Sequence, residues 1–315
     1  MSSKVEHFVT LFNSTFLPQG VALHQSMQLN IKDYVLWVLC VDNETYDVLN
    51  KLELQNVRLI KLSEVETKEL LKVKSSRTKG EYCWTLTPFA PDFVFNADKL
   101  INRVTYIDAD IWFRQSPKPI FDEFDNSNKK VLITDHSYSP HYDQSKMSGK
   151  YCVQIIIFDK LGSKDIRKWW REKCIDWCFN RFEDGKLGDQ KYLESWPVLF
   201  REKVHILLQT KFVQAPWNSE IFSYSDSLIY HFHGLRISSK KCLNTGFYRI
   251  PEVVLENIYK EYIVVLKKAV RELVDVGFTL KIQADKENSV KKVLRRINQI
   301  RKFIINVSPK GTINW

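Results

Sequence analysis

Short apolar runs recur along the chain, each ending in polar or acidic residues, with stretches of three- and four-residue hydrophobic spacing between them. Residues 5–12 (VEHFVTLF) read as a first strand, and the turn-forming NSTFLPQG leads to a helix from about Val21. The unbroken apolar run DYVLWVLCVD (33–42) has the character of a central parallel strand buried on both faces. NETYDVLNKL has helical spacing, NVRLIKL is another short strand, and EYCWTLTPFAPDFVF (81–95) is helical. RVTYIDAD, KVLITD and YCVQIIIFD then read as strands, and DIRKWWREKCIDWCFNRF as a helix. This alternation predicts an α/β domain whose mostly parallel sheet is flanked by helices.

Beyond residue 250 the pattern becomes helical. PEVVLENIYKEYIVVLKKAVRELV (251–274) is expected to pack on the body. SVKKVLRRINQIRKFI (289–304) puts Val290, Val293, Leu294, Ile297 and Ile304 on one face and basic residues on the other. The expected division is a main domain over 1–250 and a helical extension over 251–315 with a basic amphipathic segment.

Charge sharpens that division. The net charge is +10, and the stretch from Lys281 to Trp315 has nine Lys or Arg against Asp285 and Glu287. The basic character therefore belongs mainly to the tail, which argues against a nucleic-acid binder. A basic amphipathic helix suits the surface of an anionic membrane, worth about 1 kcal/mol per basic residue near that surface; a helix covering the core or an oligomer contact is the plainer alternative. No apolar run is long enough to span a bilayer, and the start MSSKVEHFVTLF lacks the apolar core of a signal peptide. The six cysteines form no C-x-x-C, and free thiols in a reducing cytoplasm are expected.

The chemistry concentrates where RVTYIDAD ends. Asp108 and Asp110 stand two apart on extended chain, so both carboxylates face one side. Adjacent like charges are costly unless a cation or hydrogen bonds offset them, and Mg²⁺ or Mn²⁺ suits oxygen ligands beside a diphosphate. Aspartates at strand ends also cap loops, so the pair alone does not decide. A second pair, His231 and His233 in LIYHFHGL, again shares one side of a strand. A third feature, Asp189–Gln190 in EDGKLGDQKYLESWP, follows a glycine and opens a helix, where an aspartate is an ordinary cap. The long polar segment TDHSYSPHYDQSKMSGKYC (134–152) is a candidate acceptor loop or lid.

In this order, YIDADIWF, GDQKYLESWP, APWN (215–218) and HFHG (231–234) resemble the motifs of metal-dependent nucleotide-sugar glycosyltransferases of the GT-A fold. The retaining family-eight type, which includes glycogenin and bacterial lipopolysaccharide galactosyltransferases, is the nearest in pattern, and the likeness covers roughly residues 5–240. It implies a Rossmann-like GT-A catalytic domain, a nucleotide-sugar donor (a UDP-sugar favoured), Mn²⁺ or Mg²⁺, and a glycan or lipid-linked acceptor in surface polysaccharide synthesis. It implies metal ligation by Asp108, Asp110 and His231, with His233 as the alternative imidazole. Asp108 would also touch the donor, Asp189 would hold the sugar hydroxyls, and Gln190 would face the anomeric carbon. The loop after the first strand would form the base pocket, making Thr10, Phe12 and Asn13 candidates.

The chain also departs from the family pattern. The pyrophosphate-binding lysine expected six residues after the metal histidine is Ile237 here, with Arg236 and Lys240 as substitutes. Gln154 in YCVQIIIF stands in for the asparagine of an Asn-Ala-Gly strand. An arginine expected before D-x-D is absent; Thr85 is nearest, and Arg77 is placed to reach in from the preceding loop. Retention is the outcome the D-Q element favours, on the cytoplasmic face of a membrane. Inversion would need Asp135 or Asp189 as general base. A nucleotidyltransferase or phosphohydrolase would use the same aspartate pair, but the chain has no P-loop, no G-x-G-x-x-G and no dense Asp/His cluster.

Overall fold

A computed structural model describes residues 5–239, 242–282 and 312–314. The segment 289–304, and with it the basic amphipathic helix, lies outside the described residues, as does Lys240.

A seven-stranded sheet organises the chain. Its strands are β1 (Glu6–Phe12), β2 (Tyr34–Cys40), β3 (Val57–Lys61), β4 (Arg103–Ile107), β6 (Val131–Asp135), β7 (Tyr151–Asp159) and β8 (Val204–Ile206), ordered β3-β2-β1-β4-β7-β6-β8. The pairs β1–β2, β2–β3, β1–β4 and β6–β8 are parallel, and β7 runs antiparallel to both neighbours. The sheet is thus mostly parallel, with one reversed strand beside β4. Helices cover both faces, as continuous apolar strands require.

The helices begin and end for local reasons, some of which move the expected boundaries. The first helix runs Leu17–Asn30, four residues earlier than its spacing suggested, and Leu17 to Met27 are all buried. A helix buried all round carries no amphipathic signal. Its start is marked instead by Pro18 in the first turn, after a 3₁₀ turn over Ser14–Phe16 that Asn13 caps by accepting from the Thr15 N–H at 3.1 Å. The stretch 81–95 is two helices, Lys79–Leu86 and Ala90–Ala97, joined by a 3₁₀ turn at Thr87–Phe89. Pro88 and Pro91 remove the backbone donors a continuous helix would need. The helix expected over 165–182 is Lys164–Asp176 and stops six residues sooner, at an extended Trp177. The D-Q element opens a 3₁₀ helix, Gln190–Ser195, and Asp189 makes no side-chain cap to it.

One small sheet sits at the carboxyl end of β4, and a second follows it along the chain. β5 (Ile111–Phe113) pairs antiparallel with β10 (Ile229–His231), which pairs parallel with β9 (Val213–Gln214). β11 (Arg236–Ser239) and β12 (Cys242–Asn244) form a hairpin, and β13 (Thr312–Asn314) adds to the β12 edge. The helical stretch after residue 251 ends in Lys260–Asp275, which lies along the first helix; Gln25 Nε2 donates to Glu272 Oε2 at 2.8 Å. Tyr262 of that helix stacks on Phe232 at 3.7 Å between centroids and 14° between planes. The C-terminal helix and the His231 strand therefore share one hydrophobic core with Phe8, Leu17 and Phe113.

Phe232 is fully buried between His231 and His233 in sequence, with Tyr259 and Tyr262 on its ring. Phe232→Ala is expected to cost about 3–5 kcal/mol of stability through the lost burial and the cavity left behind, measurable by urea denaturation followed by circular dichroism.

Candidate active site

β4 is buried along its whole length, and the chain then turns so that Ile111 N–H bonds the Asp108 carbonyl at 3.3 Å and β5 begins. Pairing of β5 with β10 sets Ile111 opposite His231. Phe232 N–H donates to the Asp110 carbonyl at 2.9 Å, tying the two segments just beyond that pair. Residues 121 positions apart are brought together by this register: His231 Nε2 donates to Asp110 Oδ1 at 3.1 Å and lies 3.8 Å from Asp108 Oδ2. One donor atom from each of Asp108, Asp110 and His231 lies within 4.8 Å of the others.

The three groups set each other's charge. Burial alone would raise the Asp110 carboxyl, but the His231 charge and hydrogen bond outweigh it and hold it well below the usual carboxylate range. Burial would likewise lower His231, and Asp110 and Asp108 together raise it. Asp108, with 29% of its side chain exposed, is raised by burial and by the Asp110 charge, against His231. Tyr106, two residues earlier on the same face of β4, donates its hydroxyl to Asp108 Oδ1 at 2.9 Å. The donor set fits a hard divalent cation. Two carboxylate oxygens and one imidazole nitrogen suit Mn²⁺ or Mg²⁺, and the three donors lie within 4.8 Å of one another.

Asp189 is buried and its carboxyl is pushed up to about 7, by desolvation first and the Asp108 charge second, against hydrogen bonds from Thr87 and backbone N–H groups. Gly188 precedes it with φ +55°, and a side chain there would meet the Trp84 indole at 3.2 Å. Both the left-handed backbone and the tight approach to Trp84 favour glycine at this position. Trp170 Nε1 holds the Asp189 carbonyl at 2.9 Å. The Gln190 amide is tied to β7 and the loop before it: its Oε1 accepts from Val153 N–H at 3.4 Å and its Nε2 donates to the Ser148 carbonyl at 2.9 Å.

The remaining candidates are distributed around this centre. His233 stands outside the three-donor cluster, its Nδ1 2.9 Å from the Tyr248 hydroxyl. Gln154 touches His231 rather than open space, its Oε1 accepting from Nδ1 at 3.0 Å. Arg236 lies over the Phe16 ring at 4.9 Å, and its charge acts on both Asp110 and His231. Ile237, at the family's lysine position, is buried in the core. Phe12 is also core: its ring fills the space beside Gly20. Thr10 is buried on β1, and Asn13 caps the following turn. Thr85 bonds the Glu81 carbonyl within its own helix, and Arg77 stacks on Phe179 at 3.8 Å. Asp135 accepts from Ser137 N–H at 2.7 Å and faces Lys150 at 3.7 Å, in a turn at the end of β6.

Sequence reasoning passed over three contributors. Tyr106 was signalled by the two-residue period that puts it on the face of Asp108, whereas nothing local pairs Thr87 with Asp189. Trp217 packs edge-on against His231 at 5.4 Å and also against His233, and its Nε1 donates to the His136 carbonyl at 2.8 Å. Its signal was the APWN motif.

No protein-family profile matches the chain. Among solved structures, the galactosyltransferase LgtC in complex with donor and acceptor sugar analogs aligns with 87% of this chain and 97% of its own, with a TM-score of 0.53 and 10% identity. The glycosyltransferase GlyE of Streptococcus pneumoniae TIGR4 aligns with 89% of this chain and 66% of its own, with a TM-score of 0.51 and 16% identity. The class is thereby defined by architecture: this is a GT-A fold, with its acidic pair at the carboxyl end of a central strand. Two Bacillus subtilis (strain 168) proteins are similar in sequence, YfnF at 32% identity over 251 residues and YfnD at 31% over 287. These matches cover 74% and 85% of this chain, and 82% and 90% of the relatives. The chain belongs to the family of YfnF and YfnD, both of which carry the name uncharacterized protein.

Asp189 supplies a pH test of the site. Its folded carboxyl keeps a proton up to about pH 7, whereas an unfolded one releases it near 3.9. Between these values the folded state binds more protons, so stability falls as pH rises, and the full penalty applies above about 7. Asp189→Asn is expected to be more stable than wild type at pH 8, by up to about 4 kcal/mol, with the gain shrinking toward pH 4. Denaturant midpoints at the two pH values measure this.

Proposed function

We propose that this chain is a metal-dependent glycosyltransferase. It moves a sugar from a nucleoside diphosphate sugar, a UDP-sugar first among them, to a glycan or glycolipid acceptor with retention of configuration. The observation that carries this reading is the cluster of Asp108, Asp110 and His231 donors at the carboxyl end of β4 in a GT-A fold. Such sheets bind ligands beyond the carboxyl ends of their strands.

Mn²⁺ or Mg²⁺ held by these three residues would neutralise the charge that grows on the departing diphosphate. Arg236 is the described basic residue whose charge reaches the cluster, so it is the candidate to steady the phosphates in place of the family's lysine. The turn after β1 borders it through Phe16, consistent with a base pocket around Asn13. Asp189, poised near neutrality, both donates to and accepts from sugar hydroxyls. Retention rests on the resemblance of the D-Q element to the retaining type; inversion would draw on Asp135, engaged by Ser137 and Lys150, or on Asp189, whose carboxyl near 7 suits a general base.

A role in surface polysaccharide synthesis rests on the motif resemblance, and peripheral attachment to the cytoplasmic face of a membrane on the sequence of the basic tail. Among the described residues no helix is long and apolar enough to cross a bilayer.

Release of nucleoside diphosphate from a panel of UDP-, GDP-, CDP- and dTDP-sugars tests the reading. Turnover of one donor with Mn²⁺ or Mg²⁺ is expected, abolished by chelator and reduced by about two orders of magnitude or more in Asp110→Ala. Absence of turnover and of metal-dependent nucleotide binding across the panel would overturn it.

A further inference from the structure

We propose that Gln154 is the positioning residue of the metal site, presetting it by holding the His231 ring and the Asp108 backbone at once. This rests on the metal-site reading above and goes beyond it by assigning how the donors are aimed.

Gln154 is a polar side chain in the apolar run YCVQIIIF, and it is completely buried. Its backbone carbonyl accepts from Asp108 N–H at 3.1 Å, continuing the β4–β7 ladder one step past the end of β4. Its side-chain Oε1 accepts from His231 Nδ1 at 3.0 Å. The amide nitrogen faces Thr134 Oγ1 at 3.5 Å on β6. One residue on β7 thus touches both chain segments that bring ligands to the cluster.

The chemistry of the amide sets the ring. A carboxamide oxygen only accepts, so the proton it meets must sit on Nδ1. Nε2 is then the nitrogen directed at Asp110 and Asp108, 3.1 Å and 3.8 Å away. The amide nitrogen has the Thr134 hydroxyl as its neighbour on the side away from the imidazole, which leaves the oxygen for Nδ1. The Trp217 ring, edge-on to His231, blocks rotation from another side. A neutral amide also achieves this without a third carboxylate beside Asp108 and Asp110, where an added negative charge would raise the cost of the empty site.

The test is Mn²⁺ affinity of the full chain by titration calorimetry. Gln154→Met keeps the length and removes the acceptor; Gln154→Glu keeps an acceptor facing Nδ1. The Met variant is expected to bind Mn²⁺ about 10–100-fold more weakly than wild type, and the Glu variant within about threefold of it. A Met variant that binds as wild type does, or a Glu variant as weak as the Met one, overturns the positioning role. Wild-type chain that takes up no Mn²⁺ overturns the metal site and this proposal together. Failure of positioning alone is distinct, because it leaves wild-type binding, and its loss in Asp110→Ala, unchanged. If Gln154→Met does not fold, nitrogen–proton correlation spectra of the wild-type His231 ring decide. A proton on Nδ1 supports the proposal, and a proton on Nε2 alone overturns it.

Discussion

Two aspartates and a histidine share a space from which water is largely excluded, and that crowding constrains the structure around them. Asp110 and His231 are buried, and Asp108 keeps 29% of its side chain exposed. Like charges in such a place repel strongly and lose their hydration, so the arrangement persists only where compensation is built in. The imidazole supplies part of it through the Nε2 bond to Asp110, and the Tyr106 hydroxyl supplies more at Asp108. The backbone supplies the rest. Asp108 is pinned to β7, Asp110 to Phe232, and His231 to the β5 partner strand. Behind these contacts lies an aromatic wall of Trp112, Phe232, Tyr259 and Tyr262, which ties the C-terminal helix to the site it supports.

The same constraint extends to Asp189. Its raised carboxyl is partly the effect of Asp108, so the two acids are electrostatically one system although they lie on different elements. A cation at the cluster would remove the repulsion that Asp189 feels and draw its titration downward. The protonation of the D-Q element therefore depends on whether the metal site is filled. In the proposed reaction this links donor binding to the state of the residue that would meet the sugar.

How much of this could be read from the chain follows from the range of the interactions. Strands buried on both faces announce themselves, and β1, β2, β4 and β7 stand where their apolar runs placed them. The first helix concealed its start because burial on all sides erases the polar face that marks an amphipathic helix. The reversal of β7 was not legible. Its apolar run suits a parallel or an antiparallel neighbour equally, and its direction depends on the route of residues 136–150. At the site, Asp108 and Asp110 were visible as a local pair. The approach of His231 needs the register of β5 on β10, and the Gln154 contact needs β4 on β7. No local pattern encodes either.

The long segment between β6 and β7 shows how a polar loop acquires structure without secondary elements of any length. A segment that opens and closes as a lid needs a body with few fixed contacts. This one is fastened at several points. The His136 carbonyl accepts from both Trp217 Nε1 and Asn218 Nδ2, at 2.8 Å and 3.0 Å. Ser139 N–H bonds the Trp217 carbonyl at 2.9 Å, and the Tyr142 hydroxyl accepts from Arg249 N–H at 2.6 Å. His136 and Tyr138 stack at 4.5 Å and lean on the Trp217 ring that also flanks His231. Moving the first half of this loop would break buried hydrogen bonds and disturb the packing against the donor cluster. The region from His136 to Tyr142 is therefore a fixed wall. For the proposed transfer, its contribution is shape and aromatic surface beside the reacting centre, and the stretch beyond Tyr142 is fastened in turn by Gln190 to Ser148 and Lys191 to Ser145.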